Sequence, residues 1–437
     1  MADKKWFTDA RFGMFIHFGL YSVAAKGEWY ASIGQVPPEK YREYFETFDP
    51  VHYDPAYYAH IARQTGMKYA VLTAKHHEGF CLFDSAYTDY KSVNTPIGRD
   101  LVREFTDAFR AEGIRVGLYY SLVDWHHPDY PAYKDPFHPL RGSNAALHES
   151  CDFDRYLDYM HAQVRELCTN YGKIDLLWFD FSYEGHSGPD WRAQELTKMV
   201  KSLQPDILIN SRLEASGGCL GSLLTDAPTP WAGDFAVPEQ IIPPAPLMTP
   251  SKAPVCWEAC QTLKNSFGYT ADDHVYKDSR ICIQQLVNCV SKGGNYLLNI
   301  GPDANGSLPL QAENILREMG QWMKYNGESI YGCRESPLPV SAFGCRVTAR
   351  DHILYLHIMQ QPVGPLPLSG IRPKDIRYAR MLSTGAEVEV LTKGWAAENY
   401  PDYTFISLAS QANETQLLPD SADTVIKLVL HRPVSSL

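Results

Sequence analysis

The chain alternates short apolar or β-branched runs with segments whose apolar residues repeat at helical spacing. Seven runs predict strands, at Met14–Phe18, Tyr69–Ala74, Val116–Ser121, Ile174–Phe179, Ile207–Asn210, Val255–Glu258 and Tyr296–Ile300. Predicted helices fall between them, near Pro55–Gln64, Asp100–Ala111, Asp154–Asn170, Trp191–Leu203 and Tyr276–Ser291, and a further one spans Gln311–Tyr325. Strands that alternate with helices favour a parallel sheet, and 437 residues suffice for a (β/α) TIM-like barrel with a second domain.

The pattern changes near residue 335, where the helical periodicity gives way to short strands separated by turn residues. The predicted strands are Val347–Arg350, Ile353–Ile358, Met381–Ser383, Val388–Leu391, Phe405–Leu408 and Thr424–Leu430. Such a series is typical of a β-sandwich. We therefore expect a barrel domain over residues 1–334 and a C-terminal β-sandwich domain over residues 335–437.

Several strands of the predicted barrel end in reactive side chains. The run Asp175–Asp180 places a carboxylate after Trp178 and Phe179, where burial is unfavourable unless the group is hydrogen-bonded or functional. For Asp180 alone, capping of the next helix is an equal alternative. Other strands or their ends supply His17, His76, His77, Tyr119, Tyr120, Arg212 and Glu258. Because the carboxyl ends of barrel strands meet at one mouth, these residues predict a polar pocket.

Two long segments, Asp124–Glu149 and Leu213–Lys252, follow strands and are rich in Pro, Gly and His. Loops of this length in a compact domain are usually functional. We therefore expect these two segments to contribute to function.

Composition and charge argue against several classes of function, among them nucleic-acid binding and membrane association. Hydrophobic residues are 45% and charged residues 21%, as in soluble globular enzymes, and a net charge of −11 without a basic cluster disfavours nucleic acid as a partner. The N-terminus lacks the apolar core of a signal peptide, and no run has the length of a membrane-spanning helix, so we expect a cytoplasmic protein without membrane association. The ten cysteines lack zinc spacing, which predicts free thiols and no metal or other cofactor.

Collinear motifs over residues 6–330 resemble those of glycoside hydrolase family 29, the α-L-fucosidases. They are Trp6–Ser22, Gly27–Tyr30, Lys75–Phe80, Gly117–Ser121, Leu177–Asp180, Trp257–Cys260 and Gly293–Pro302. The resemblance implies an irregular (β/α) barrel followed by a β-sandwich, which agrees with the periodicity. It also implies a retaining exo-glycosidase that acts on terminal α-L-fucosyl groups of oligosaccharides or glycoconjugates.

The resemblance implies a role for each pocket residue. Asp180 stands at the family's nucleophile position. The family's acid/base lies on a variable loop; Glu239 is our choice, Glu258 is the alternative, and Asp234 is a third candidate. For substrate binding, the resemblance points to His17, Glu28, Trp29, His76, His77, Tyr120, Arg212 and Phe267, with Tyr120 and Arg212 facing the nucleophile. Phe267 is assigned to the C6 methyl of fucose, with plain core packing as its alternative.

One residue departs from the family pattern: Phe18 stands where the family commonly has Trp after His17. A Phe keeps the apolar contact but lacks the indole N–H.

Two other function classes remain open at this point. The histidines and carboxylates of the pocket would also suit a metal-dependent hydrolase, which a chelator would inactivate. A non-catalytic sugar-binding protein on the same scaffold would need neither a nucleophile nor an acid. The residues also leave open the linkage preference and whether the chain forms a homo-oligomer.

Overall fold

The computed structural model describes residues 3–132, 135–142, 151–183, 185–216, 220–338, 345–409 and 416–437. Its first part contains seven parallel strands in the order β5-β4-β3-β2-β1-β7-β6. Their bounds are β1 Phe12–Ile16, β2 Tyr69–Lys75, β3 Arg115–Ser121, β4 Leu176–Asp180, β5 Leu208–Ile209, β6 Glu258–Gln261 and β7 Asn295–Ile300. Each overlaps a predicted strand, although β6 starts at the last residue of its predicted run.

Helices connect most of these strands. They are α1 Lys5–Ala10, α2 Leu20–Ala24, α3 Tyr30–Ile33, α4 Pro38–Glu46, α5 Pro55–Thr65, α6 Leu101–Ala111, α7 Phe153–Asn170, α8 Ala193–Leu203, α9 Ser279–Val290 and α10 Leu310–Asn326. Four begin after an aspartate whose carboxylate accepts a hydrogen bond from a backbone N–H of the first turn: Asp54, Asp100, Asp152 and Asp278. Such caps supply a hydrogen-bond acceptor to amides that have no partner within the helix, and they fix the residue at which each of these four helices begins.

The segment 235–239 fills the gap between the two edge strands, β5 and β6. Phe235 forms a parallel bridge with Asn210 after β5, while Ala236 and Glu239 form parallel bridges with Trp257 and Cys260. Side chains alternate along this segment as in a strand, because Phe235 and Val237 join the barrel interior whereas Ala236 packs with the outer core. The segment therefore closes the barrel and directs Glu239 towards its mouth.

The barrel interior is filled by large apolar side chains. Phe15, Tyr119, Trp178 and Leu297 pack there together with Phe7 from α1, which covers the end opposite the mouth. A separate cluster joins the outer faces of the strands to the helices. With its lower half packed, the described part of the barrel leaves space for a ligand at the carboxyl ends of the strands.

The remaining chain forms two antiparallel sheets, which confirms the predicted sandwich after a TIM-like barrel. One has the order β12-β15-β10-β9-β8 and the other β11-β14-β13. The elements are β8 Arg334–Glu335, β9 Cys345–Arg350, β10 Ile353–Ile358, β11 Leu366–Ser369, β12 Ile376–Met381, β13 Glu389–Leu391, α11 Trp395–Asn399, β14 Tyr403–Ser407 and β15 Thr424–Leu430.

Two details of the second domain differ from the expectation or extend it. The predicted strand at Met381–Ser383 is wrong, since β12 ends at Met381 and starts five residues earlier. Strand β8 begins at Arg334, next to the expected boundary, which stays a prediction.

Within the described residues, every helix is too short or too polar to cross a lipid bilayer.

Candidate active site

A cavity of about 390 Å³ opens at the carboxyl ends of the barrel strands. Of the residues predicted for the site, its walls include His17, Glu28, Trp29, His76, His77, Asp180, Arg212, Glu239 and Phe267. Asp180 ends β4, and the others lie in segments that follow strands, far apart in sequence. Phe15, Tyr119, Trp178, Phe181, Gln240 and Cys260 complete the lining.

Asp180 is held from three sides. Its Oδ2 accepts a hydrogen bond of 2.9 Å from the Tyr119 hydroxyl, and His77 Nε2 lies 3.8 Å from the same oxygen. Its Oδ1 accepts a hydrogen bond of 3.3 Å from Arg212. The Asp180 side chain is 13% exposed, so it is fixed but open to a ligand.

Arg212 joins the two carboxylates of the cavity. Its other terminal nitrogen donates a hydrogen bond of 2.7 Å to Glu239 Oε2, and its guanidinium lies over the Trp178 ring at 5.2 Å. The Glu239 side chain is 32% exposed, more than twice the value for Asp180. Glu239 is therefore the carboxylate with access to solvent, and Asp180 is the buried one.

Burial and charge act in opposite directions on this pair. Burial raises the pKa of Asp180, and the negative charge of Glu239 raises it further. Arg212 and the Tyr119 hydrogen bond lower this pKa, but the overall shift is still upward. Burial lowers the pKa of Arg212, but Asp180 and Glu239 outweigh it and raise that pKa overall. Arg212 thus stays charged beside two acids that repel each other.

Three histidines form one wall of the cavity. His17 Nδ1 pairs with Asn299 Oδ1 at 2.6 Å, and His77 Nδ1 pairs with Ser121 Oγ at 2.7 Å. Burial lowers the pKa of both His17 and His77, and neighbouring histidines lower it further. Neutral imidazoles with one nitrogen occupied leave Nε2 available for hydroxyl groups of a ligand.

Tyr120 does not face Asp180, so that expectation is wrong. Its hydroxyl donates to Gln163 Oε1 at 2.8 Å, and its ring packs in the outer core. Strand β3 pairs with β4 so that Tyr119 is opposite Trp178 and Tyr120 opposite Phe179. Successive side chains point to opposite faces of a sheet, so Tyr119 occupies the position expected for Tyr120.

The two rival acids lie outside the cavity lining. Glu258 is fully buried and accepts hydrogen bonds from the Tyr69 hydroxyl and, at 3.3 Å, from Trp178 Nε1. Burial raises the pKa of Glu258 to about 7, although both hydrogen bonds oppose the rise. Asp234 is tied to Lys201 at 2.7 Å and to the Ile209 amide at 2.9 Å. Only Glu239, among the three candidates, shares the cavity with Asp180.

Aromatic rings surround the cavity mouth. Trp29 lies 5.1 Å from His77 and 5.5 Å from Phe181, between ring centroids. Phe181 directly follows Asp180 and has a φ of 82°, a left-handed conformation that is strained for a large side chain. Strain of this kind is concentrated at functional sites, and here it turns the Phe181 ring towards Trp29.

Phe267 and Glu28 both line the cavity, and Glu28 binds the backbone amide of the residue after Phe267. The Phe267 ring is 4.7 Å from His17, and its carbonyl accepts a hydrogen bond of 2.7 Å from Asn299. Glu28 Oε2 accepts a hydrogen bond of 2.7 Å from the backbone amide of Gly268.

Phe18 lies outside the cavity lining, and its ring stacks on that of Tyr53 with centroids 5.5 Å apart, so its apolar role is kept. Within the described residues, no group of three or more His, Cys, Asp or Glu side chains is placed to hold a metal ion.

Comparison with known proteins places these observations in one family. A family model described as alpha-L-fucosidase matches residues 2–328. An alpha-L-fucosidase of Dictyostelium discoideum is 32% identical over 355 residues, covering 75% of this chain and 71% of that protein. The plasma alpha-L-fucosidase of Homo sapiens is also 32% identical, over 356 residues, covering 75% and 68%.

Solved structures give the same result. Alpha-L-fucosidase isoenzyme 1 from Paenibacillus thiaminolyticus is 51% identical, with a TM-score of 0.92 and 98% of both chains covered. An alpha-L-fucosidase from Bacteroides thetaiotaomicron was solved as a trapped covalent intermediate with 2-fluoro-fucosyl fluoride, in a Glu-to-Gln variant. It is 27% identical, with a TM-score of 0.80 and 97% and 95% of the two chains covered.

Proposed function

The chain belongs to the α-L-fucosidase family, and we propose that it hydrolyses terminal α-L-fucosyl linkages with retention, through a covalent β-fucosyl-enzyme. The observation that supports this most directly is the Arg212 side chain, which hydrogen-bonds Asp180 and Glu239 within one cavity. Retaining hydrolysis needs two carboxyl groups in one site, one as nucleophile and one as acid and then base. Family membership supports an enzyme over a non-catalytic sugar-binding protein.

In the proposed first step, an Asp180 oxygen attacks the anomeric carbon while Glu239 gives its proton to the glycosidic oxygen. The carbon–oxygen bond to the leaving group breaks, and an ester forms between Asp180 and the sugar. Asp180 suits this role because Tyr119 and Arg212 fix its orientation. Glu239 suits the acid role because its greater exposure gives it access to the leaving group.

In the second step, Glu239 takes a proton from water, and the resulting hydroxide attacks the anomeric carbon from the opposite face. The ester bond breaks and returns the electron pair to Asp180. Esterification has by then removed the charge on Asp180, so Arg212 has only Glu239 as its acidic partner, which favours the ionised base. Two inversions at one carbon give net retention.

We propose that His17, His76 and His77 contact the sugar hydroxyls and that Glu28 and Trp29 bind the sugar on the other side of the cavity. Phe267, half-buried beside His17, would contact the C6 methyl. The leaving group would pass between Trp29, Phe181 and Gln240, which are also part of the cavity lining. The preferred linkage can be determined with α1,2-, α1,3-, α1,4- and α1,6-fucosylated oligosaccharides.

We also propose that the enzyme acts in the cytoplasm on small fucosylated oligosaccharides or conjugates. In support, eight of the described cysteines, all except Cys345, are free thiols, as is usual in a reducing compartment. Fractionation of the source cells, with fucosidase activity assayed in each fraction, tests the location.

The decisive experiment removes each carboxylate and identifies the product formed with azide. With an aryl α-L-fucoside, Asp180→Gly is expected to be inactive until azide attacks the sugar directly and gives a β-fucosyl azide. In Glu239→Gly, azide is expected to attack the fucosyl-enzyme and to give the α-fucosyl azide. NMR distinguishes the two anomers. The same anomer from both variants would contradict the assignment, and wild-type activity that a chelator abolishes would favour the metal-dependent alternative.

A further inference from the structure

A second cavity, of about 400 Å³, lies beside the catalytic one and is almost equal to it in volume. We call it the side pocket; Tyr41, Glu78, Tyr90, Trp125 and His126 are among its walls. The two cavities have no lining residue in common, so the side pocket is a separate space.

Two contacts connect the side pocket to the catalytic cavity. The Trp125 ring lies 5.6 Å from Trp29, which lines the catalytic cavity. Glu78 Oε2 lies 3.5 Å from Nδ1 of His76, another catalytic-cavity residue. A ligand in the side pocket would therefore lie directly behind two residues of the proposed fucose site.

Two polar groups of the side pocket are buried without a hydrogen-bond partner, although Glu78 Oε2 keeps its 3.5 Å contact with His76 Nδ1. Glu78 is 4% exposed and Tyr41 is 5% exposed. Neither Glu78 Oε2 nor the Tyr41 hydroxyl has a hydrogen-bond partner among the residues that the structure describes. Buried polar atoms are normally paired, so two unpaired oxygens in one pocket indicate a polar ligand.

The two oxygens define what such a ligand must offer. Burial raises the pKa of Tyr41 well above its usual range, and Glu78 raises it further, so the hydroxyl keeps its proton and can donate. The Glu78 carboxylate accepts. A ligand hydroxyl both donates and accepts, whereas an ammonium group could satisfy only Glu78.

The remaining walls suit the apolar faces of a sugar ring. The Trp125 ring is fixed because its Nε1 donates a hydrogen bond of 2.9 Å to Asp135, and Tyr90 stacks on His126 with centroids 3.9 Å apart. Burial lowers the pKa of His126, and Arg42 lowers it further against the effect of Asp124.

We propose that the side pocket binds one neutral pyranose unit, whose ring lies against Trp125 and whose hydroxyls pair with Glu78 and Tyr41. The unit is either a free monosaccharide or a further sugar of a fucosylated oligosaccharide. The site is proposed independently of the hydrolysis reaction, and its first test measures binding without turnover.

The test titrates the full-length protein separately with D-galactose, D-glucose and N-acetyl-D-glucosamine, with choline as a cationic probe, and follows binding by saturation-transfer NMR. Wild type is expected to bind at least one of the sugars and not choline. Tyr41→Phe and Glu78→Gln are each expected to weaken that binding about tenfold, the effect of one good buried hydrogen bond. Tyr44→Phe, on the same helix but outside the pocket lining, is the matched control and should bind as wild type.

A third variant, Asp180→Asn, assigns the binding to the correct cavity. Binding that survives in Asp180→Asn and weakens in Tyr41→Phe supports the side pocket, whereas the reverse places the sugar in the catalytic cavity and overturns the proposal. Binding of choline alone, or of none of the probes, also overturns it. Tyr41→Phe removes a hydroxyl that has no partner, so its melting temperature should not fall; a fall together with lost binding would make the hydroxyl structural and overturn the proposal.

Steady-state kinetics then identify the source of the sugar. A KM that rises in Tyr41→Phe for a fucosylated trisaccharide but not for an aryl fucoside assigns the unit to the substrate. Weaker monosaccharide binding with both KM values unchanged assigns the pocket to a free sugar. If the chain proved inactive on fucosides, the proposed function would fail while the binding result would stand.

Discussion

The Tyr119 hydroxyl donates a hydrogen bond of 2.9 Å to Asp180, the residue that ends the adjacent strand. The Tyr119 ring is held in place by stacking, 5.4 Å from His76 on one side and 5.5 Å from Trp178 on the other. The hydroxyl therefore has little freedom to turn away from the carboxylate. This contact lowers the pKa of Asp180 in opposition to burial, which raises it.

Replacement of Tyr119 by Phe tests this relationship. Loss of the hydrogen bond should raise the pKa of Asp180 further, so less of this proposed nucleophile is ionised at acidic pH. The acidic limb of kcat/KM should move to higher pH, with a loss of about tenfold or more at the optimum. The measurement is the pH profile of kcat/KM on an aryl α-L-fucoside. Tyr120→Phe is the matched control; its hydroxyl bonds Gln163, so an equal shift in that variant would contradict the assignment.

Replacement of Arg212 is expected to raise the pKa of Asp180 more than replacement of Tyr119 does. Among the influences that lower the pKa of Asp180, Arg212 ranks above the Tyr119 hydrogen bond. Arg212→Met should therefore move the acidic limb further than Tyr119→Phe, and should lower kcat/KM by about a hundredfold or more because two buried acids lose their counter-charge.

Arg212→Lys keeps the charge but not the planar fork that reaches both carboxylates, and it is expected to recover only part of the loss. Full recovery by Lys would show that charge alone matters. A smaller shift in Arg212→Met than in Tyr119→Phe would contradict the order of the two contributions. Both outcomes come from the same pH profiles.

Successive side chains of a strand point to opposite faces, and with the strand register known this alternation identifies Tyr119, not Tyr120, as the residue beside Asp180. Trp178 and Asp180 share a face of β4, and register pairs Trp178 with Tyr119. The sequence places both Tyr119 and Tyr120 near the mouth, but it does not give the register that assigns one of them to each face. A shift of one residue reverses every side chain of a strand, so this choice needs the register as well as the strand.

The position of Glu239 shows a different limit of prediction. The sequence located it in a long loop, whereas the structure places it at the end of a strand-like segment that bridges β5 and β6. That segment is set by contacts with two strands distant in sequence, and its own residues include a proline, Pro238. Local periodicity found the seven regular strands but could not find an eighth element that depends on its neighbours.

Phe267 is expected to contribute to discrimination between sugars by their C6 group. Its backbone is fixed through Asn299, so shortening the ring should change mainly the apolar wall. Phe267→Ala should lower kcat/KM for an aryl α-L-fucoside by about tenfold, the effect of one buried methyl contact. The loss in kcat/KM for the corresponding L-galactoside should be smaller, because its C6 carries a hydroxyl group. Phe267→Leu, which keeps an apolar side chain, should lie between Ala and wild type. Equal losses on both sugars would indicate that Phe267 only packs the core.

Glu258 should make the stability of the fold depend on pH. Burial raises its pKa from 4.5 to about 7, so between these values the folded protein keeps a proton that the unfolded chain has released. Stability from this residue is therefore fully present below the lower value and falls as pH rises towards the higher one, by about 3 kcal/mol in total. Glu258→Gln has no proton to lose, and its melting temperature should fall less than that of wild type between about pH 5 and pH 8. Glu46→Gln, which changes an exposed carboxylate of α4, should keep the wild-type pH dependence. Parallel melting curves for wild type and Glu258→Gln across this range would contradict the raised pKa of Glu258.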